Sequence, residues 1–145
     1  MIRYTNDVGE PSQVIVKMKE SFEADGSGSG CEPLEFDVDF AGLPLQNMDA
    51  TINWRATSLD NKGIFYTDSN GLGMIRRQEK KVVDVIDSVK SNAPANYYPI
   101  NSAIFMEDTD IDDQLKMLVM NDRPMGGSGF RKGRIELMFN RRGSS

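Results

Sequence analysis

The chain has 145 residues and a formal net charge of -5, with 39% hydrophobic and 27% charged residues, a composition of one folded domain rather than of a disordered tail. Its acidic balance argues against nucleic acid or an anionic membrane as the main partner, and no apolar run approaches the roughly 18–20 residues that span a bilayer. The sequence has no histidine and a single cysteine, Cys31, which excludes a His-based triad, an imidazole general base, a His-containing zinc site and an internal disulfide within this chain.

The opening residues, Met1 to Asp7, lack the apolar stretch of a secretory signal, so none is expected. From there the dominant hydrophobic period is two. Val14, Val16 and Met18 alternate with Lys17 and Lys19, and Leu34, Phe36, Val38 and Phe40 alternate with Glu35, Asp37 and Asp39. These read as two half-buried strands, the second with an acidic outer face. The run Asp25-Gly26-Ser27-Gly28-Ser29-Gly30 between them predicts a hairpin with a flexible Gly/Ser loop over 26–30. That loop is either a linker or a natural glycine-rich tip, and Gly143-Ser144-Ser145 reads as a tail.

Ile52, Trp54 and Ala56 alternate with Asn53 and Arg55, predicting a third strand, and Ile64 to Tyr66 predicts a fourth, ended by the turn cluster Asp68-Ser69-Asn70-Gly71. The stretch Lys80 to Lys90 fits a helical face through Val82, Val83, Val85, Ile86 and Val89, yet its β-branched residues equally favour a strand. Ala103 to Met106 is apolar, and Leu115 to Met120 is nearly continuous, so both faces of that strand are expected to be buried. Ile135, Leu137 and Phe139 alternate with Glu136 and Met138. The fold class expected is all-β, an antiparallel β-sandwich over residues 1–145 with one short helix allowed for. Trp54, Phe36, Phe40, Ile135, Leu137 and Phe139 are the predicted core.

Few residues offer chemistry. Asp108, Asp110 and Asp112 occupy positions 1, 3 and 5 of a calcium loop, but positions 6 and 12 hold Asp113 and Val119 where glycine and glutamate are required, so a charged turn is the better reading. Gly126-Gly127-Ser128-Gly129 lacks the ending of a phosphate-binding loop and is expected to be a tight turn between the strands ending near Asn121 and starting near Arg134. The pairs Arg76-Arg77, Lys80-Lys81, Arg131-Lys132 and Arg141-Arg142 are interspersed with acids and read as solvated faces.

Four blocks carry a resemblance. Gly63-Ile64-Phe65-Tyr66-Thr67-Asp68-Ser69-Asn70-Gly71 resembles the "G-x-F-Y-T-D-S-N-G" segment of lysosomal-type family 38 α-mannosidases. Ala95-Asn96-Tyr97-Tyr98-Pro99-Ile100-Asn101-Ser102 is similar to their "G-N-Y-Y-P-V-N-S", and Asp122-Arg123-Pro124-Met125-Gly126-Gly127-Ser128 to "D-R-S-x-G-G-S". Gly133 to Arg142 resembles "G-x-L-E-L-M-x-H-R-R". The blocks stand in the family's order from Gly63 to Arg142. Departures are Leu72, where the family usually has arginine, and Asn140, where it usually has histidine or aspartate.

The resemblance implies a β-sandwich region that packs on a catalytic α/β barrel of the same polypeptide. In that family the barrel removes terminal α-linked mannose from glycans with retention, using an aspartate nucleophile and a zinc ion held by histidines and aspartates. It implies no catalytic residue, no metal site and no cofactor in this chain; the acidic balance and the lack of a long apolar run add no nucleic-acid and no membrane partner. Its parent family is often lysosomal or secretory. Arg141 and Arg142 are the candidates for cleft-facing residues, and Tyr97 and Tyr98 for the surface that meets the barrel. The alternatives are an autonomous carbohydrate-binding module and a purely structural β-domain without sugar contact.

Overall fold

The computed structural model describes residues 2–5, 11–17, 34–39, 48–80, 94–109 and 115–142. They fall in two compact units, one within residues 1–46 and the other essentially 47–143. The first unit holds β1 (Ile2–Thr5), β2 (Pro11–Lys17) and β3 (Glu35–Asp39) in an antiparallel sheet of order β1-β2-β3. The expected β2–β3 pair is present, with Val14 opposite Val38 and Val16 opposite Phe36. Along β3 the exposed Glu35 and Asp37 alternate with the half-buried Phe36 and Val38, so the acidic outer face is as read. The loop 26–30, Phe40, the stretch 81–90 and the tail 143–145 lie outside the described residues.

The second unit is an antiparallel β-sandwich. One sheet has the order β4-β11-β10-β7, from β4 (Met48–Arg55), β11 (Arg134–Arg142), β10 (Met125–Ser128) and β7 (Tyr98–Ile100). The facing sheet has the order β6-β5-β8-β9, from β6 (Met74–Gln78), β5 (Ile64–Asp68), β8 (Ala103–Glu107) and β9 (Lys116–Met120). A short 3-10 turn, Pro94–Asn96, leads into β7. The alternating positions of both sheets meet in one core of Leu59, Phe65, Ile100, Ile104, Met106, Ile135 and Leu137. Each such side chain stabilises the fold by about 1.5–3 kcal/mol on full burial. Ile135 and Leu137 are buried as expected, whereas Trp54 and Phe139 are half-buried and pack against the core.

Two expectations are corrected. Residues 126–128 are not a turn: β10 is an interior strand, pairing Gly127 with Tyr98 on one side and with Leu137 on the other. Glycine is required there because side chains of the two flanking strands close over it: a Cβ on Gly127 would lie 2.6 Å from Ile100 Cγ1 and 2.8 Å from Leu137 Cδ2. The tight turn comes later, at Arg131–Gly133, where the N–H of Arg134 donates to the carbonyl of Arg131 at 3.1 Å. Strand β9 is not buried on both faces. It is the last strand of its sheet among the described residues, so Met117 and Val119 pack inward while Lys116, Leu118 and Met120 are exposed.

Candidate functional site

Tyr97 and Tyr98 are neighbours, and the structure sends them to opposite sides of the chain path, as extended backbone requires. Tyr98 faces the core edge-on against Phe65, with ring centroids 5.7 Å apart and an interplanar angle of 61°. Its other side is capped by Arg77, whose guanidinium carbon stands 4.3 Å from the ring centre. Tyr97 instead lies against Gly126, where a Cβ would come 3.5 Å from Cδ1 of the ring. Its hydroxyl donates to Glu136 Oε1.

Glu136 is the centre of a polar cluster on the sheet β4-β11-β10-β7. Arg134 Nη2 donates to its Oε2 at 2.6 Å, and Arg134 Nε donates to Asn53 Oδ1 of β4 at 2.7 Å. Both carboxylate oxygens of Glu136 are therefore engaged from within the domain. Burial, together with the Glu136 carboxylate, holds the phenol of Tyr97 well above its ordinary range, and Asp49 adds to the effect. Asp49 is the register partner of Arg141, and Met48 of Arg142. A bulge between Met138 and Asn140 sets that register. The backbone of Arg141 thus runs beside Asp49, while Tyr98 belongs to the core side. The side chains of Arg141 and Arg142 lie outside the described residues.

The neighbouring depression, lined by Ser128, Phe130, Arg131, Arg134 and Glu136, offers about 10 Å³. That is room for a water molecule and far below the roughly 300–1,000 Å³ of a ligand pocket.

The blocks singled out in the sequence meet through three buried polar side chains, none of which was picked out as a site residue. Asp68 accepts the main-chain N–H groups of Asn101 at 2.8 Å, Ser102 at 3.2 Å and Gly71 at 3.2 Å. Asn96 completes the ladder beside Lys80, accepting its N–H at 2.7 Å and donating to its carbonyl at 2.9 Å, while its own carbonyl accepts from Ser128 Oγ at 2.7 Å. Asn61 donates to the carbonyls of Ile64 and Gly129, both at 2.8 Å, and accepts the N–H of Gly133 at 3.0 Å. These side chains act as strand or turn backbone, which is how a polar group is kept in a core without penalty. The one signal available beforehand was the turn cluster starting at Asp68, since aspartate at the head of a turn bonds the backbone a few residues on. Burial of Asn61 and Asn96 left no periodic trace.

A zinc ion fits nothing here: among the described residues no group of three His, Cys, Asp or Glu could hold a metal, and the sequence contains no histidine.

Comparison with known proteins bears on the same segments. The family model "Glycosyl hydrolases family 38 C-terminal domain" matches residues 34–145. Lysosomal alpha-mannosidase of Felis catus is 40% identical over 87 residues, 59% of this chain and 8% of that protein. Lysosomal alpha-mannosidase of Cavia porcellus is 38% identical over 120 residues, 79% of the chain and 11% of that protein. Alpha-mannosidase 2 of Drosophila melanogaster is 38% identical over 86 residues, 59% of the chain and 7% of that protein. The chain therefore spans about a tenth or less of each of these relatives.

Proposed function

Because the chain belongs to the glycosyl hydrolase family 38 C-terminal domain family, we propose that it serves as the non-catalytic β-domain of a zinc-dependent, retaining α-mannosidase acting on terminal α-linked mannose of glycans. In this reading the chain supports the catalytic barrel of the same polypeptide and lines its cleft, and the barrel carries the zinc and the nucleophile. The observation that carries it is the character of the matched blocks. Asp68, Asn96 and Glu136 all lie within them and are used to hold the domain's own strands. The carboxylates of Asp68 and Glu136 are thus taken up by main-chain N–H groups, Tyr97 and Arg134 of the domain itself.

The surface proposed to meet the barrel is the side of sheet β4-β11-β10-β7 that carries Tyr97, together with Arg141 and Arg142 at the end of β11. Tyr98 supports it from the core side. In the full polypeptide, Arg141→Ala and Arg142→Ala should lower kcat/KM for an α-mannoside while leaving the melting temperature unchanged. Unchanged kinetics in both variants would remove the cleft role.

A sugar-binding module is the second reading, and the aromatic pair on the other sheet is what bears on it. Tyr66 and Phe105 are stacked on each other, centroids 4.4 Å apart and planes within 4°. A pyranose stacks on an open ring face, and this pairing covers one face of each ring. Calorimetric titration of the chain with an α-mannoside should give no saturable heat; saturation would favour the module.

A further inference from the structure

Among the described residues the sandwich has four edge strands, β4, β7, β6 and β9, and they are protected unequally. Strand β7 contains Pro99, which has no N–H to offer. Strand β6 carries Arg76 and Arg77, so antiparallel pairing with its own copy would set guanidinium against guanidinium. Strand β4 turns Thr51, Asn53 and Arg55 to solvent and has no apolar side chain on that face. Strand β9, Lys116-Met117-Leu118-Val119-Met120, has no proline, no glycine and no inward charge, and Leu118 and Met120 are 57% and 68% exposed. These are the properties that natural edges ordinarily avoid.

We propose that two copies of this chain associate by antiparallel pairing of their β9 strands about a two-fold axis at Leu118. The pairing is self-complementary, as a two-fold interface must be. It places Leu118 opposite the Leu118 of the second copy, Met117 opposite Val119 and Lys116 opposite Met120. No charge meets its like, and the ammonium of Lys116 is already held by Glu107 at 3.1 Å. On the outer face the registers align Tyr66, Phe105 and Leu118 in a row across β5, β8 and β9, so pairing continues that row into the second copy. Tyrosine, phenylalanine, methionine and arginine are the residues enriched in protein interfaces, and Arg76 closes the row at β6. The arginines on β6 also prevent further addition at the other edge, so the product is a closed dimer and not a fibre. This inference is independent of the family reading.

Light scattering coupled to size exclusion, on the full chain over a dilution series, tests it. The chain should have twice its 16.2 kDa mass at high concentration. Leu118→Lys should return it to the single-chain mass with an unchanged circular dichroism spectrum. Leu72→Lys, at a position 91% exposed in the β5–β6 turn, should leave the dimer intact. Hydrogen exchange of the unmodified chain gives a reading that needs no variant: protection of the β9 amides should rise with concentration. A single-chain mass at every concentration, which would leave the face to another part of a longer polypeptide, overturns the proposal. So does a dimer that survives Leu118→Lys, or growth beyond two copies.

Discussion

The carboxylate of Asp68 accepts the main-chain N–H of Asn101 at 2.8 Å, and that bond fastens the turn after β5 to the turn between β7 and β8. Two blocks 33 residues apart in sequence are thereby one structural unit. Burial alone would raise the carboxyl; the N–H groups of Ser102, Asn101, Gly71 and Ala103 outweigh it and hold the pKa at about 2.

Asp68→Ala should therefore destabilise the domain by about 1–3 kcal/mol through the donors it leaves unpaired. The pH dependence has a definite sign. A folded pKa below the unfolded value of about 3.9 gives stability that is present above that value and is lost as pH falls toward the folded pKa of about 2. Denaturant titrations between neutral and acid pH should show the unmodified domain losing more stability on acidification than Asp68→Ala. Parallel losses would mean that Asp68 is not the group responsible.

Two glycines should differ in how badly they tolerate a methyl group. Gly133 has a positive φ of 56°, and a Cβ there would lie 2.2 Å from the carbonyl oxygen of Ala56. Main chain cannot yield as a side chain can, so Gly133→Ala should disrupt folding. Gly127→Ala presses on the side chains of Ile100 and Leu137 and should cost about 1–3 kcal/mol, the usual price of overpacking. Thermal melts of the two variants give the order.

Tyr97 should ionise late. Its phenol is raised by burial and then by Glu136, so its contribution to stability is present below the ordinary tyrosine range and is lost as pH rises through the raised value. An alkaline absorbance titration of the chain, which has 4 tyrosines, should lose its last step in Tyr97→Phe. Retention of that step would contradict the Tyr97–Glu136 bond.

Alternation made the large strands legible. Ile135 and Leu137 face the core because period two is a direct imprint of one buried face. A nearly continuous apolar run misled at β9, because it suggests burial of both faces while Leu118 and Met120 lie on an exposed outer face. Strand β10 was missed because glycine weakens a strand's local signal, and its reason for being there is the distant Ile100 and Leu137. Strands β1, β6 and β7 went unmarked too: β6 shows its two arginines as a solvated pair, and β7 is interrupted by Pro99. Of the candidate site, the sequence marked Tyr97 and Tyr98 through the block they stand in. It did not mark Glu136 or Arg134, whose pairing depends on the alignment of β4 with β11.

On the proposed function, this chain supports the catalytic barrel of an α-mannosidase and does not itself hydrolyse the glycosidic bond. Release of chromophore from an aryl α-mannoside by the purified chain, with zinc added, tests this most directly. The predicted result is a rate equal to the blank at every chain concentration. A rate that rises with chain concentration and persists through repeated purification would contradict it.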